Sequence, residues 1–221
     1  MKNLIFLSLL LFISPCLKAQ EYLYDIGTNI GISSGYGDLN QSKLFYSPSL
    51  SSEIQLRYNY NYRWVLTGMA LTEGLKGDTK DFDNVFPDNK QYSYDNRLWG
   101  IAFGGEFNFF NYGWGNDYRN LSRFTPFLGV GIGLGIVNAK ENTPFAFSLP
   151  LSAGLKYKLT RRINLCMKVV FAKMLTDKAD DIDDPYGIES SFLKNTDWYS
   201  SFSLGLSFEF GHRLRKCNNL D

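Results

Sequence analysis

Few side chains in this 221-residue sequence are of kinds that carry out chemistry, and their placement decides what they can do. The single histidine, His212, follows the last apolar alternation of the chain, so no imidazole is at hand to activate a serine along the strands. In "DKADDIDDPYGIE", Asp180, Asp181, Asp183 and Asp184 could gather calcium, yet the alternating ligands and internal glycine of a calcium loop are missing. A solvated acidic loop, or one that bridges lipopolysaccharide through divalent ions, is the expectation. "GVGIGLG" has the glycines of a phosphate loop but sits inside a strand pattern with no helix to follow. Cys166 and Cys217 match no zinc spacing; they are two free thiols or a disulfide. What remains is a set of charges of both signs, Asp25, Glu53, Arg57, Glu106, Lys156, Lys158, Lys168 and Glu209. Such a set can be a proton or ion path, or a paired network filling a narrow interior; the expectation is the network, with no open channel, because single charges in so tight a space would be costly. No metal, cofactor or catalytic group is expected, nor a small-molecule substrate.

The elements that hold these charges share one pattern. From Trp198 to Phe210, large apolar residues (Trp198, Phe202, Leu204, Leu206, Phe208, Phe210) alternate with Tyr199, Ser201, Ser203, Gly205, Ser207 and Glu209. The same period of two recurs from Tyr22 to Ser33, Leu50 to Tyr60, Trp64 to Thr72, Trp99 to Phe109, Leu128 to Ile136, Leu149 to Lys158 and Ile163 to Ala172. Eight strands result. In "FTPFLGVGIGLGIVN" every partner of Leu128, Val130, Ile132, Leu134 and Ile136 is glycine, which leaves that face bare.

Three features place the greasy face in lipid. The alternations run about 9 to 13 residues, enough for a tilted strand to cross a bilayer, where soluble strands average about 5 or 6. The interior of an eight-stranded barrel takes only a modest set of side chains, whereas the apolar face carries on the order of forty large ones. They must point outward, which leaves glycine, serine, asparagine and the charges to fill the lumen. The connections also alternate, tight at Asn61 to Arg63 and Leu159 to Arg162, intermediate at Asn111 to Arg123, and long at Gly35 to Ser49, Gly74 to Arg97, Ala139 to Ala146 and Leu175 to Thr196. Outer-membrane barrels have short periplasmic turns and long outer loops. Tyr22, Tyr24, Tyr58, Tyr60, Trp64, Phe107, Phe109, Tyr157, Phe208 and Phe210 would then ring the periplasmic interface, with Trp99 and Trp198 at the outer one. The expected fold is an all-β, eight-stranded antiparallel transmembrane up-and-down barrel; a soluble two-sheet sandwich or soluble barrel is the alternative.

The first residues, "MKNLIFLSLLLFISPCLKAQ", read as a secretory signal peptide over 1–19, followed by the barrel over 20–211 and a periplasmic tail over 212–221. The expected location is the cell outer membrane. A net charge of +1 offers no case for nucleic acid as a partner.

Four stretches, "YDIGTNIGISSGYGDLN", "LKYKLTRRINL", "FAKMLTDKADDIDD" and "TDWYSSFSLGLSFEFG", together resemble the PorG-like outer-membrane proteins of Bacteroidota. The resemblance implies an accessory barrel of the type IX secretion system, not the translocation pore, that tethers the periplasmic ring built by PorK and PorN to the outer membrane. It brings no catalytic residue. Contact with such a ring would come from Trp114 and Tyr118 in "NYGWGNDYRNLSR", or from Arg213, Arg215 and Lys216 in the tail. Outer-membrane lipids and lipopolysaccharide are the other expected partners. A surface barrel acting through its outer loops as an adhesin or ligand binder, or a passive structural barrel, is the alternative.

Overall fold

The computed structural model of the chain describes residues 22–36, 47–78, 93–114, 120–138, 145–175 and 198–212. Eight strands, β1 (Tyr22–Tyr36), β2 (Ser49–Asn59), β3 (Trp64–Asp78), β4 (Ser93–Asn108), β5 (Phe124–Asn138), β6 (Phe145–Lys158), β7 (Ile163–Met174) and β8 (Trp198–His212), pair antiparallel in chain order. β1 and β8 close the sheet, from Tyr22 opposite His212 to Tyr36 opposite Trp198. No strand edge is left open, as a hydrocarbon surrounding demands.

The register fixes the shape. Following cross-strand partners from Tyr24 through Tyr58, Leu66, Gly105, Val130, Leu151, Phe171 and Ser200 returns to β1 at Ser34, ten residues along. With strands about 4.8 Å apart and a rise of about 3.3 Å per residue, that stagger tilts them by about 40° from the barrel axis. At this tilt, Trp198 to Phe210 climbs about 30 Å, the thickness of a bilayer's hydrocarbon.

Alternation sorts the side chains as the chemistry requires. Leu134 is 43% and Leu206 52% exposed on the outside, and Phe202 also points outward, while Ser203, Ser207 and Glu209 between them are buried within. The same holds around the barrel, from Ile26, Leu56 and Phe103 to Leu151 and Phe171. An exterior so apolar is stable only against lipid. Aromatics gather toward the short-turn end, where Tyr24, Tyr60, Trp64, Phe109, Tyr157, Phe208 and Phe210 are exposed; Phe110 and Phe124, absent from the sequence expectation, join them. Tyr22 corrects that expectation. It is 7% exposed, its ring beneath the Arg162 guanidinium at 5.5 Å and its hydroxyl accepting from Arg162 Nε at 3.3 Å.

Strand ends differ from the sequence reading at the long-loop side. β3 runs on to Asp78 and β4 begins at Ser93, inside the span expected to be loop from Gly74 to Arg97. Beyond the hydrocarbon, a strand no longer needs an apolar outer face, so "EGLKGD" and "SYDNRL" pair without showing the pattern. At the other end β8 includes His212, the first residue of the expected tail.

The short turns are held by local acceptors. Asn61 Oδ1 takes the backbone N–H groups of Arg63 at 2.8 Å and Trp64 at 2.7 Å, and Thr160 Oγ1 takes those of Arg162 at 3.3 Å and Ile163 at 3.0 Å. These side chains replace a backbone turn and let the hairpins reverse in few residues.

Candidate functional site

The residues most able to do chemistry converge on the barrel axis, because each lies on the inner parity of its strand. Arg57 on β2 bridges the lumen: Nη1 is 3.2 Å from Asp25 Oδ1 on β1, and Nε is 3.3 Å from Glu106 Oε2 on β4. Glu106 also meets Lys156 Nζ at 2.5 Å, and that ammonium donates to Asn108 Oδ1 at 3.2 Å. Nearer the short turns, Lys158 pairs with Glu209 at 2.6 Å, and Asn164 Nδ2 donates to Asp25 at 2.8 Å and to Glu209 at 3.1 Å. Ser207 adds a bond to Asp25 at 2.7 Å. Farther out, Lys168 grips both oxygens of Glu53, 2.6 Å to Oε2, and Asn29 donates to the same carboxylate. All eight charges singled out in the sequence are buried here, four cations against four carboxylates, and each meets at least one of opposite sign. Pairing of this kind is what keeps ions tolerable in a narrow low-dielectric space.

Two interior features escaped sequence reasoning. Glu73 on β3 is 3% exposed and faces the lumen, among Ser33 and Ser51, with Oε2 unbonded among the described residues. Above it lies an apolar plug of Leu75, Leu98, Val137, Ala146, Val170, Ala172, Met174 and Tyr199. Val170, Ala172 and Tyr199 already lie on the inner parity of the sequence pattern; Leu75, Leu98, Val137, Ala146 and Met174 correct the expectation of a lumen filled by glycine, serine, asparagine and charge. The signal was present as paired apolar neighbours, Leu98–Trp99, Ile136–Val137, Val169–Val170 and Trp198–Tyr199, where both faces turn greasy at once.

Cys166 lies within the lumen as a free thiol, its sulfur accepting from Arg57 Nη2 at 3.5 Å, while Cys217 is outside the described residues. A concavity of about 870 Å³ belongs to the outer surface, where Ile30, Ile54, Trp99, Ile101 and Phe145 border it.

The described part of the connection between β4 and β5, residues 109–114 and 120–123, lies at the short-turn end of the lumen. Its Tyr112 is buried, bonds Asn164 Oδ1 at 3.0 Å and carries Lys158 Nζ 4.9 Å above its ring. Burial, with the Glu209 and Asp25 carboxylates nearby, pushes the Tyr112 phenol above its usual range. Trp114 is half-buried under the Arg123 guanidinium, 3.7 Å from the ring centre. Of the residues expected to dock a partner, only Trp114 is described; Tyr118, Arg213, Arg215, Lys216 and the acidic cluster from Asp180 to Asp184 lie outside the described residues, as do 1–21.

A paired polar network and an apolar plug occupy the inside of a closed cylinder whose outside is apolar. A profile of the family DUF6089, a domain of unknown function, matches residues 2–219. The chain belongs to this family. Among solved structures it is similar to the Neisserial surface protein A, at 14% identity and a TM-score of 0.55, over 85% of this chain and 97% of that one. It is also similar to the N-terminal β-barrel domain of Pseudomonas aeruginosa OprF, at 15% identity and 0.44, over 86% and 100%. Ail, the attachment invasion locus protein of Yersinia pestis, aligns at 15% identity and 0.45, again over 86% and 100%. A comparison with curated protein sequences finds no match. The first of these likenesses carries the fold: in this chain DUF6089 is an eight-stranded barrel of outer-membrane type, and its lipid-facing exterior belongs in the outer membrane.

Proposed function

We propose that this barrel is a non-enzymatic accessory of the type IX secretion machinery that tethers a periplasmic ring to the outer membrane. The resemblance to PorG-like proteins motivates the reading, and one observation carries it. The lumen is filled from the short turns to the plug, so the barrel acts through what it presents at its ends. At the periplasmic end the described residues include Trp114, an aromatic of the kind that anchors protein interfaces, stacked against Arg123. Trp114→Ala and removal of residues 213–221 are expected to leave heat-modifiable folding intact and to reduce co-purification of ring proteins. Unchanged co-purification in both variants would overturn the tether.

A surface role rests on a different observation. β3 and β4 pair as far as Asp78 and Ser93, with Lys76 and Asp95 joined at 2.9 Å on the exposed part of the hairpin. Loss of binding to cells only when this hairpin is shortened would favour it.

A further inference from the structure

We infer that the periplasmic mouth is a receptor for a carboxylate-rich polypeptide segment, held by arginines placed at the same position of three hairpins. This rests on the tether reading and names the chemistry of the partner. Arg63, Arg123 and Arg162 each stand one residue before an outward-running strand, β3, β5 and β7. Each offers its carbonyl to the strand that follows in the sheet: Arg63 accepts from Asn108 N at 2.7 Å, Arg123 from Lys158 N at 2.8 Å, and Arg162 from Glu209 N at 2.8 Å. The last rung of three ladders therefore fixes where three guanidiniums start.

Their direction follows from parity. Trp64, Phe124 and Ile163, the next residues, are exposed on the lipid side, so the arginines fall to the side of the mouth. Their contacts agree. Arg63 Nε bonds Asn111 Oδ1 at 3.2 Å, Arg123 stacks on Trp114, and Arg162 reaches Tyr22, all residues at or beneath the lumen opening. All three arginines are exposed residues, Arg161 adds a fourth charge, and among the described residues none of the four pairs with a carboxylate.

The contrast with the lumen is the point. Inside, every one of the eight charges singled out meets an opposite one; at the mouth, these four cations meet no anion among the described residues. Stacking and single side-chain bonds hold the planar groups while leaving further N–H donors for an incoming acceptor, and a guanidinium fork matches a carboxylate. Placement around the aqueous opening, and not on the aromatic girdle, favours a protein segment over phospholipid headgroups.

The test uses the full chain in zwitterionic phosphatidylcholine nanodiscs, with a fluorescent peptide of eight glutamates read by anisotropy. Binding is expected to weaken with salt and by about threefold for each arginine removed in Arg161→Gln and Arg162→Gln. Arg162→Lys should restore part of it, which separates charge from folding damage. No binding by the wild type, or equal binding by the double Gln variant, would overturn the inference. So would full displacement by millimolar inorganic phosphate, marking a simple anion site, or loss of the peptide in nanodiscs containing phosphatidylglycerol, marking a lipid site. Weakened peptide binding with normal ring co-purification in the double variant would instead retain the receptor and remove the tether; unchanged peptide binding with reduced co-purification would retain the tether alone.

Discussion

Replacing Arg57 by methionine removes the cation that joins two buried carboxylates, Asp25 and Glu106, across the lumen. The guanidinium lies 3.2 Å from Asp25 and 3.3 Å from Glu106, and at an effective dielectric of about 20 each attraction is worth about 5 kcal/mol before desolvation is counted. Methionine fills much of the volume, so the cost is electrostatic. Glu106 keeps Lys156 as its partner, whereas Asp25 keeps only the neutral donors Asn164 and Ser207. A buried carboxylate stripped of its cation costs about 3 to 5 kcal/mol. In Arg57→Met with Asp25→Asn the lone charge disappears while Glu106 and Lys156 stay balanced, so at least about 2 kcal/mol should return. Urea unfolding in lipid vesicles, followed by the fluorescence of the four tryptophans and by migration of unboiled samples on gels, measures both variants. A single variant within about 1 kcal/mol of the wild type, or a double variant no better than the single, would refute a dry, paired lumen, since only water could screen Asp25 that well.

Further expectations concern the seam and the mouth. At the closure of β1 on β8, a Cβ on Gly31 would strike the Phe202 carbonyl, and one on Gly205 the Asn29 side chain and Thr28 carbonyl; Gly31→Val or Gly205→Val should abolish heat-modifiable folding, while Gly105→Ala, whose Cβ would come no nearer than 3.9 Å to anything, should fold normally. At the mouth, the folded chain holds the Tyr112 proton more tightly than the unfolded one, so the contribution of that phenol is whole below about pH 10 and is lost as pH rises above it. Urea midpoints at pH 8 and pH 11 should fall less for Tyr112→Phe than for the wild type; an equal fall would show that the phenol is not buried with those carboxylates. At pH 8 the lost bond to Asn164 should lower stability by about 1 kcal/mol.

The strands were legible wherever they cross hydrocarbon, because lipid on one side and a narrow lumen on the other enforce a strict alternation. Leu128 to Ile136 and Trp198 to Phe210 carry that imprint directly, and Trp64 to Thr72 carries it more weakly. It fades where the lipid ends, and there the extension of β3 and β4 and the inward face of Glu73 went unread, since a lone carboxylate between Thr72 and Gly74 looks like the start of a loop. Parity also identified the lumen charges but not who meets whom. Lys168 finds Glu53 across 115 positions only because a stagger of ten residues brings β7 and β2 to one level, and stagger is a property of the closed sheet. The arginine positions were visible as "YR", "SR" and "RR" before each strand, but their common role emerges from the backbone rungs.

Bulky side chains face acyl chains while charge fills the axis. Spin labels placed singly from residue 202 to residue 208 of β8, in vesicles, test it most directly through collision with oxygen, which dissolves in lipid, and with a water-soluble nickel complex. Labels at 202, 204, 206 and 208 should show high oxygen and low nickel contact, and those at 203, 205 and 207 low contact with both. The opposite phase, or no period of two, would contradict a barrel whose apolar face meets lipid.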